Sequence, residues 1–275
     1  MIVNDSSDLL ITFTWGNFKH GISGHLFECI EYYFIIKNHF KCKILLPEKI
    51  EKYKEIIQDK YNFTNKEIKD ILDNTLEISK PTLLKTNNVL FVDGSYKNIK
   101  KINILAKKII VFSCGDMTLL DHNNEKIYVL MDKRVYLKKV KNSFNYKKKL
   151  LLNYLRKIRN AGNKTLIYGT ENCRKTDKNI SNQLKLTQKN LPYFNLFENI
   201  SSYYYTPIER KFDCSPRLLV ECKFYDKDII FDPEVLDYFE NDLGLYWRWY
   251  DIENDFESLY LKEDDEIINI LKELI

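Results

Sequence analysis

The chain lacks any apolar run long enough to cross a bilayer. Stretches such as Leu9–Trp15 and Lys108–Cys114 are strand-sized, against the about 20 residues a spanning helix needs. The basic and then apolar order of a secretory signal is missing from the N-terminus too, so a cytoplasmic protein is expected. C-x-x-C spacing is also lacking: the six cysteines, Cys29, Cys42, Cys114, Cys173, Cys214 and Cys222, are scattered. That argues against a zinc or redox motif and reads as free thiols in a reducing compartment. The four histidines, His20, His25, His39 and His122, share no ligand spacing. No convincing D-x-D sits on a loop between strands, and Asp264-Asp265 reads as the solvent-facing part of an acidic terminal helix. No metal is expected. Glycine and proline are few, 8 and 6 in 275 residues, and neither an internal repeat nor a low-complexity linker interrupts the chain.

What is present is a globular composition with uneven charge. The net charge is only +4. Yet from Lys133 to Lys164 no acidic residue separates Lys133, Arg134, Lys138, Lys139, Lys141, Lys147, Lys148, Lys149, Arg156, Lys157, Arg159 and Lys164. From Asp226 onward the chain is instead acidic. Such polarity is a footprint for a polyanion, or a solvated helix face.

Periodicity alternates strand and helix. Leu9–Trp15 reads as a strand, Gly16–Gly24 as a glycine loop, and Leu26, Ile30, Tyr33, Phe34 and Lys37 as one face of a helix. Ser23 is placed to cap it. A strand at Lys43–Pro47, helices over 48–61 and 65–74, and strands at 88–92, 108–112 and 126–130 follow. A helix is expected over Tyr146–Arg159, with a domain boundary at Asn160–Asn163. A second unit then reads as strand 164–169, helix 180–191, strand 200–205, helix 216–225 and strand 228–231. The remainder is helical, with Trp247, Trp249, Tyr250, Phe256 and Leu259 available to pack back across the first unit. The α/β alternation predicts parallel sheets with ligands beyond their carboxyl ends.

The residues with chemistry fall at such ends. Gly21-Ile-Ser-Gly24 would aim backbone N–H groups and a helix dipole at an anion or a sugar hydroxyl. The loop lacks a full G-x-G-x-x-G, and no acidic residue ends the second strand, so a nicotinamide-dependent dehydrogenase is disfavoured. Ser215-Pro216 opens a helix on which Arg217 and Glu221 share a face. There Arg210 or Lys211 would neutralise a diphosphate, and Glu221 would accept ribose hydroxyls. The alternative is an ordinary Arg217–Glu221 ion pair.

This order of strand, glycine loop and helix at the start, and strand, S-P-x-x-x-x-E helix and short strand near the end, resembles the GT-B glycosyltransferases. The resemblance implies two Rossmann-like domains facing each other: residues 1–160 on the acceptor side, 161–235 binding the nucleotide-sugar, and 236–275 a helical segment crossing back. It implies that Glu221 contacts the ribose, that Thr170, Arg174 and Lys175 follow the second unit's first strand near the diphosphate, and that Gly21, Gly24 and His25 face the donor. The build is also similar to phage-type enzymes that glycosylate hydroxymethylated pyrimidines in DNA. A UDP- or GDP-sugar is then the co-substrate, with no further cofactor. Asp93, Asp116 and His25 are candidates for the general base, and Lys147, Lys148 and Lys149 for contacts to duplex DNA. A glycan or lipid-linked acceptor, or a non-catalytic nucleic-acid-binding protein, are the competing expectations.

Overall fold

The computed structural model describes residues 1–13, 24–78, 82–93, 102–112, 124–132, 141–159, 162–169, 177–187, 193–206, 217–233 and 243–275. Two all-parallel sheets carry the fold. The first contains β1 (Ile2–Asn4), β2 (Leu9–Thr12), β3 (Cys42–Leu46), β4 (Thr75–Glu77), β5 (Thr82–Phe91), β6 (Ile102–Phe112), β7 (Ile127–Met131) and β8 (Ser143–Asn145). Its order is β4-β3-β2-β5-β6-β7-β8, with β1 also on β5. β1 pairs with Leu83–Lys85 and β2 with Val89–Phe91, so the two share one position beside the long β5. Where they part, the side chains of Asn87 and Asn88 donate to the carbonyls of Ser7 and Asp8 (3.1 and 2.9 Å). This explains the polar Asn87-Asn88 pair in the middle of a buried strand. The order reverses between β2 and β5, the doubly wound pattern whose switch point opens a crevice at the carboxyl ends.

Strands buried on both faces must be apolar throughout. Leu9, Leu10 and Ile11 of β2 and Ile44, Leu45 and Leu46 of β3 are fully buried. Helices α1 (Gly24–Ile36), α2 (Lys54–Lys60) and α3 (Asn65–Asp73) cover this unit. Thr64 and Glu67 close a capping box at the start of α3.

The second sheet has the order β10-β9-β11-β12, formed by β9 (Lys164–Gly169), β10 (Gln183–Thr187), β11 (Ile200–Tyr205) and β12 (Asp228–Phe231). A single helical turn, α4 (Leu196–Asn199), leads into β11, and α5 (Arg217–Phe224) joins β11 to β12. Then come α6 (Leu243–Asn254) and α7 (Glu266–Leu274). Trp249 packs edge-on against Phe231 of the second unit, ring centroids 4.7 Å apart. The Trp247 side chain lies outside the described part. The return to the first unit is made further on. Leu150 N–H donates to Leu259 O and Leu261 N–H to Leu150 O (2.9 and 2.8 Å), and Lys108 donates to the Leu274 carbonyl at the end of α7. Among the described residues no helix is long and apolar enough to cross a membrane.

Three sequence expectations are corrected. Residues 146–159 are an extended segment with one 3-10 turn at Leu152–Tyr154. Leu150, Leu151 and Leu152 are all buried, which no one-sided helix face provides, and the backbone of Leu150 is paired with Leu259 and Leu261. Of the helix expected over 180–191, residues 183–187 are instead the strand β10, and residues 188–191 lie outside the described residues. Asn182, in the left-handed region with φ 55°, turns the chain onto β9 and donates to Asn163 O (2.7 Å). Asp265 is buried rather than solvent-facing: it caps α7 and pairs with Lys149 at 2.7 Å.

Ser23 lies outside the described residues. At the start of the second unit Gly162 is tightly constrained, because an added Cβ would overlap the backbone of Asn199 and Ile200. Gly162→Ala is therefore expected to cost about 1–3 kcal/mol and to lower the midpoint of thermal unfolding by several degrees. An unchanged midpoint would show that this approach is looser than described.

Candidate functional site

α1 is almost wholly buried, yet carries two buried carboxylates, Glu28 and Glu31. With His25 they form a ladder at i, i+3 spacing, on neighbouring positions of one helix face. A buried carboxylate requires partners, and the partners of these two define the site.

Glu28 sits beneath the carboxyl ends of β2 and β5. Its Oε2 lies 2.8 Å from His25 Nδ1 and 2.7 Å from Lys148 Nζ. Lys148 also donates to the carbonyl of Val92, just after β5 (2.6 Å), and stands over the Phe112 ring. Burial would raise the Glu28 carboxyl; Lys148, then His25 and Arg217, outweigh it and hold it well below the usual carboxylate range. Asp93, next in the chain after Val92, is buried as well and acts electrostatically on Cys29 of α1. The His25 side chain stays 32% exposed.

Glu31 ties the two units together. Arg217, the first residue of α5, donates from Nη1 and Nη2 to the two Glu31 oxygens (2.9 and 2.5 Å), from Nε to Glu221 Oε1 (2.6 Å), and from Nη2 to the Tyr61 hydroxyl (3.2 Å). Tyr61 donates to Glu31 Oε1 (2.5 Å). Lys60 pairs with Glu221 Oε1 at 2.6 Å and lies over the Phe27 ring, as Arg217 does. Burial would raise the Glu221 carboxyl, but Lys60 and Arg217 lower it; burial lowers the Lys60 ammonium. Two cations face two carboxylates, so the cluster is neutral as a whole. The Arg217 side chain also passes beside Gly24, whose Cβ position is 3.6 Å from Arg217 Cδ. The N-termini of α1 and α5 thus converge.

The structure therefore brings together Gly24, His25, Arg217 and Glu221, with Lys148 and Asp93 behind them. Glu221 is buried and has its Oε1 engaged by two cations. Lys147, Lys148 and Lys149 do not form a cationic surface. Lys147 pairs with Asp251 (3.0 Å) and Asp255 (3.5 Å), Lys148 with Glu28, and Lys149 with Asp265. Their charge is used inside the fold. Gly21, Asp116, Thr170, Arg174, Lys175, Arg210, Lys211 and Ser215 lie outside the described residues. Among the described residues no group of three or more His, Cys, Asp or Glu is placed to hold a metal ion.

Sequence reasoning missed Glu28, Glu31 and Lys60. The available signal was the His25-x-x-Glu28-x-x-Glu31 ladder on an otherwise apolar helix. An open groove of about 600 Å³, lined by Tyr33, Lys37, Cys42, Glu67 and Asp70 among others, lies toward the opposite end of α1. Its lining includes the Lys37–Asp70 ion pair (2.6 Å) and does not include His25.

Breaking the Arg217 cluster should cost stability. Arg217→Met leaves Glu31 buried without its fork, an expected loss of about 3–5 kcal/mol in urea unfolding, much of it recovered when Glu31→Met is added. Equal losses in the single and double variants would contradict the coupling. Glu28 and Glu221 both titrate below the ordinary 4.5 in the folded chain. The stability they contribute is complete above that pH and is lost as pH falls below it. Glu221→Gln should be less stable at pH 7 and flatter between pH 5 and 3, as urea unfolding across that range would read out. Comparisons with family models, with curated proteins and with solved structures find no match to this chain.

Proposed function

We propose that the chain is a glycosyltransferase, moving a sugar from a nucleoside diphosphate sugar to an acceptor hydroxyl with His25 as general base. The observation that carries the reading is the His25–Glu28 pair at the switch point of the first sheet, beside the place where α5 of the second unit begins. An attacking hydroxyl must lose its proton as it bonds to the anomeric carbon. An imidazole that donates Nδ1–H to a carboxylate takes that proton at Nε2, and the carboxylate stabilises the imidazolium that forms. Glu28 has this position relative to His25.

The two facing parallel α/β units support a donor held between them, with the convergent N-termini of α1 and α5 favouring the diphosphate. In this reading Arg174, Lys175, Arg210 and Ser215 serve the phosphates, Gly21 and Thr170 line the donor, and Asp116 and Asp93 are the rival bases. Arg217 directs its N–H groups to Glu31, Glu221 and Tyr61, so we assign it and Glu221 to the frame behind the donor. The acceptor is proposed as a hydroxyl. A hydroxymethylated base in duplex DNA is the acceptor that the acid-free stretch from Lys133 to Lys164 favours, with Lys147, Lys148 and Lys149 within it engaged internally.

The test is a panel of UDP- and GDP-sugars offered with hydroxymethylcytosine DNA and with glycan and lipid-linked acceptors, read by nucleotide release and product mass. One donor should turn over. His25→Ala should lower turnover by about 10²–10⁴-fold with donor affinity unchanged by calorimetry, while Asp93→Asn leaves more activity. Failure of every donor to bind would sink the enzyme reading and favour a non-catalytic role.

A further inference from the structure

We propose that Lys148 is the positioning residue of this site, holding the Glu28 carboxylate so that it fixes the His25 ring in the tautomer a base requires. The inference rests on the reading of His25 as the general base. Lys148 is a lysine that the surface does not explain. Lys148 is 8% exposed, and an interior ammonium is retained only where its partners compensate the loss of water. Among its partners are the Val92 carbonyl at the end of β5, the Phe112 ring, and the same Glu28 oxygen that meets His25 Nδ1. Lys148 therefore joins the end of β5 to the base on α1 through one carboxylate atom.

The charged groups acting on Glu28 are Lys148 from the segment after β8, His25 on α1 itself and Arg217 from α5, while Asp93 after β5 acts on the neighbouring Cys29. Burial alone would favour a neutral carboxylic acid at Glu28, and Lys148 is the largest influence opposing it. The difference matters chemically. A carboxylate accepts from Nδ1–H, which leaves Nε2 unprotonated and able to take a proton from the acceptor hydroxyl. A carboxylic acid donates to Nδ1 instead, which moves the ring proton to Nε2 and blocks it as a base. Lys148 acts through Glu28 and needs no contact with substrate.

The experiment is nitrogen NMR of the histidine rings in the full chain, with His25 assigned by the signals lost in His25→Gln. Wild type and Lys148→Arg should show the Nδ1–H form wherever the ring is neutral. Lys148→Met should shift toward the Nε2–H form as the pH falls, and the acid limb of its kcat profile should move up by about 1 pH unit. Its kcat should drop about 10- to 100-fold, part of what a positioned base contributes, with the donor KM within about twofold of wild type.

Should Lys148→Met not fold, Lys148→Gln keeps a donor toward Val92 and Glu28 without the charge and carries the same expectation. An unmoved tautomer and pH profile in a folded neutral variant would overturn the proposal. So would collapse of both neutral variants beside a native Lys148→Arg, which would mark the lysine as structural. A tautomer change without turnover of any nucleotide sugar would sink the transferase reading while leaving the Lys148–Glu28–His25 link in place.

Discussion

The bidentate contact of Arg217 with Glu31 is the constraint on which the arrangement of the two units depends. Neither side chain tolerates burial alone, and each comes from a different unit: Glu31 from α1 of the first, Arg217 from the first turn of α5 in the second. Buried ion pairs are poor sources of net stability but strict in geometry, because a partner displaced by an ångström leaves an uncompensated charge. Glu221 and Lys60 extend the pair, and Tyr61 takes a remaining donor, so the relative placement of α1, the end of α2 and α5 is specified from three sides. Convergence of the α1 and α5 N-termini is the consequence. A second contact at the same seam, Arg156 with Asp59 (3.2 Å) and Asn195 (2.6 Å), restricts rotation about the first.

α1 shows how a site is built on a core helix. Its aliphatic and aromatic residues pack Leu26, Ile30, Tyr33 and Phe34 into the interior, and that burial supplies the driving force. Against this background the ladder of His25, Glu28 and Glu31 has two duties. Glu31 faces the other unit and fixes it; Glu28 faces the crevice of its own sheet. Because both stand on one rigid element, the placement of His25 and the placement of the second unit are not independent. A group on a buried helix is held more narrowly than one on a loop.

Most of the fold was legible because its strands are local in character. β9, β11 and β12 occupy the residues that their apolar runs mark, and α1 follows its 3.6-residue period. The failures have a common cause. Residues 146–159 have helical composition, yet lie extended because Tyr32 accepts from the Lys149 N–H (3.2 Å) and the Leu150 backbone pairs with residues more than a hundred positions away. Residues 183–187 were read by composition, whereas the neighbouring β9 and the left-handed turn at Asn182 decide for a strand. At the site, the i, i+4 pair of Arg217 and Glu221 was visible, but its destination was not. Glu31 and Lys60 are distant in sequence, and no spacing rule connects them to α5.

The charge polarity of the chain follows the same logic. A basic stretch without acid and an acidic C-terminal stretch read, separately, as a surface for a polyanion and a solvated tail. In three dimensions they answer each other. Lys147 meets Asp251 and Asp255, Lys149 meets Asp265, and Lys108 meets the last turn of α7. Lys147 and Lys149 are held at low exposure, where screening by salt is weak and a matched carboxylate counts for more than at the surface. The asymmetry along the sequence thus acts as an address: it brings residues 251–274 back onto the segment after β8 and fixes which of its sides faces inward. That segment carries Lys148 at its centre. With Lys147 and Lys149 drawn to the C-terminal carboxylates, Lys148 is turned the other way, into the crevice against Glu28. The return of the C-terminal helix and the placement of the buried cation behind His25 are therefore two results of one distribution of charge.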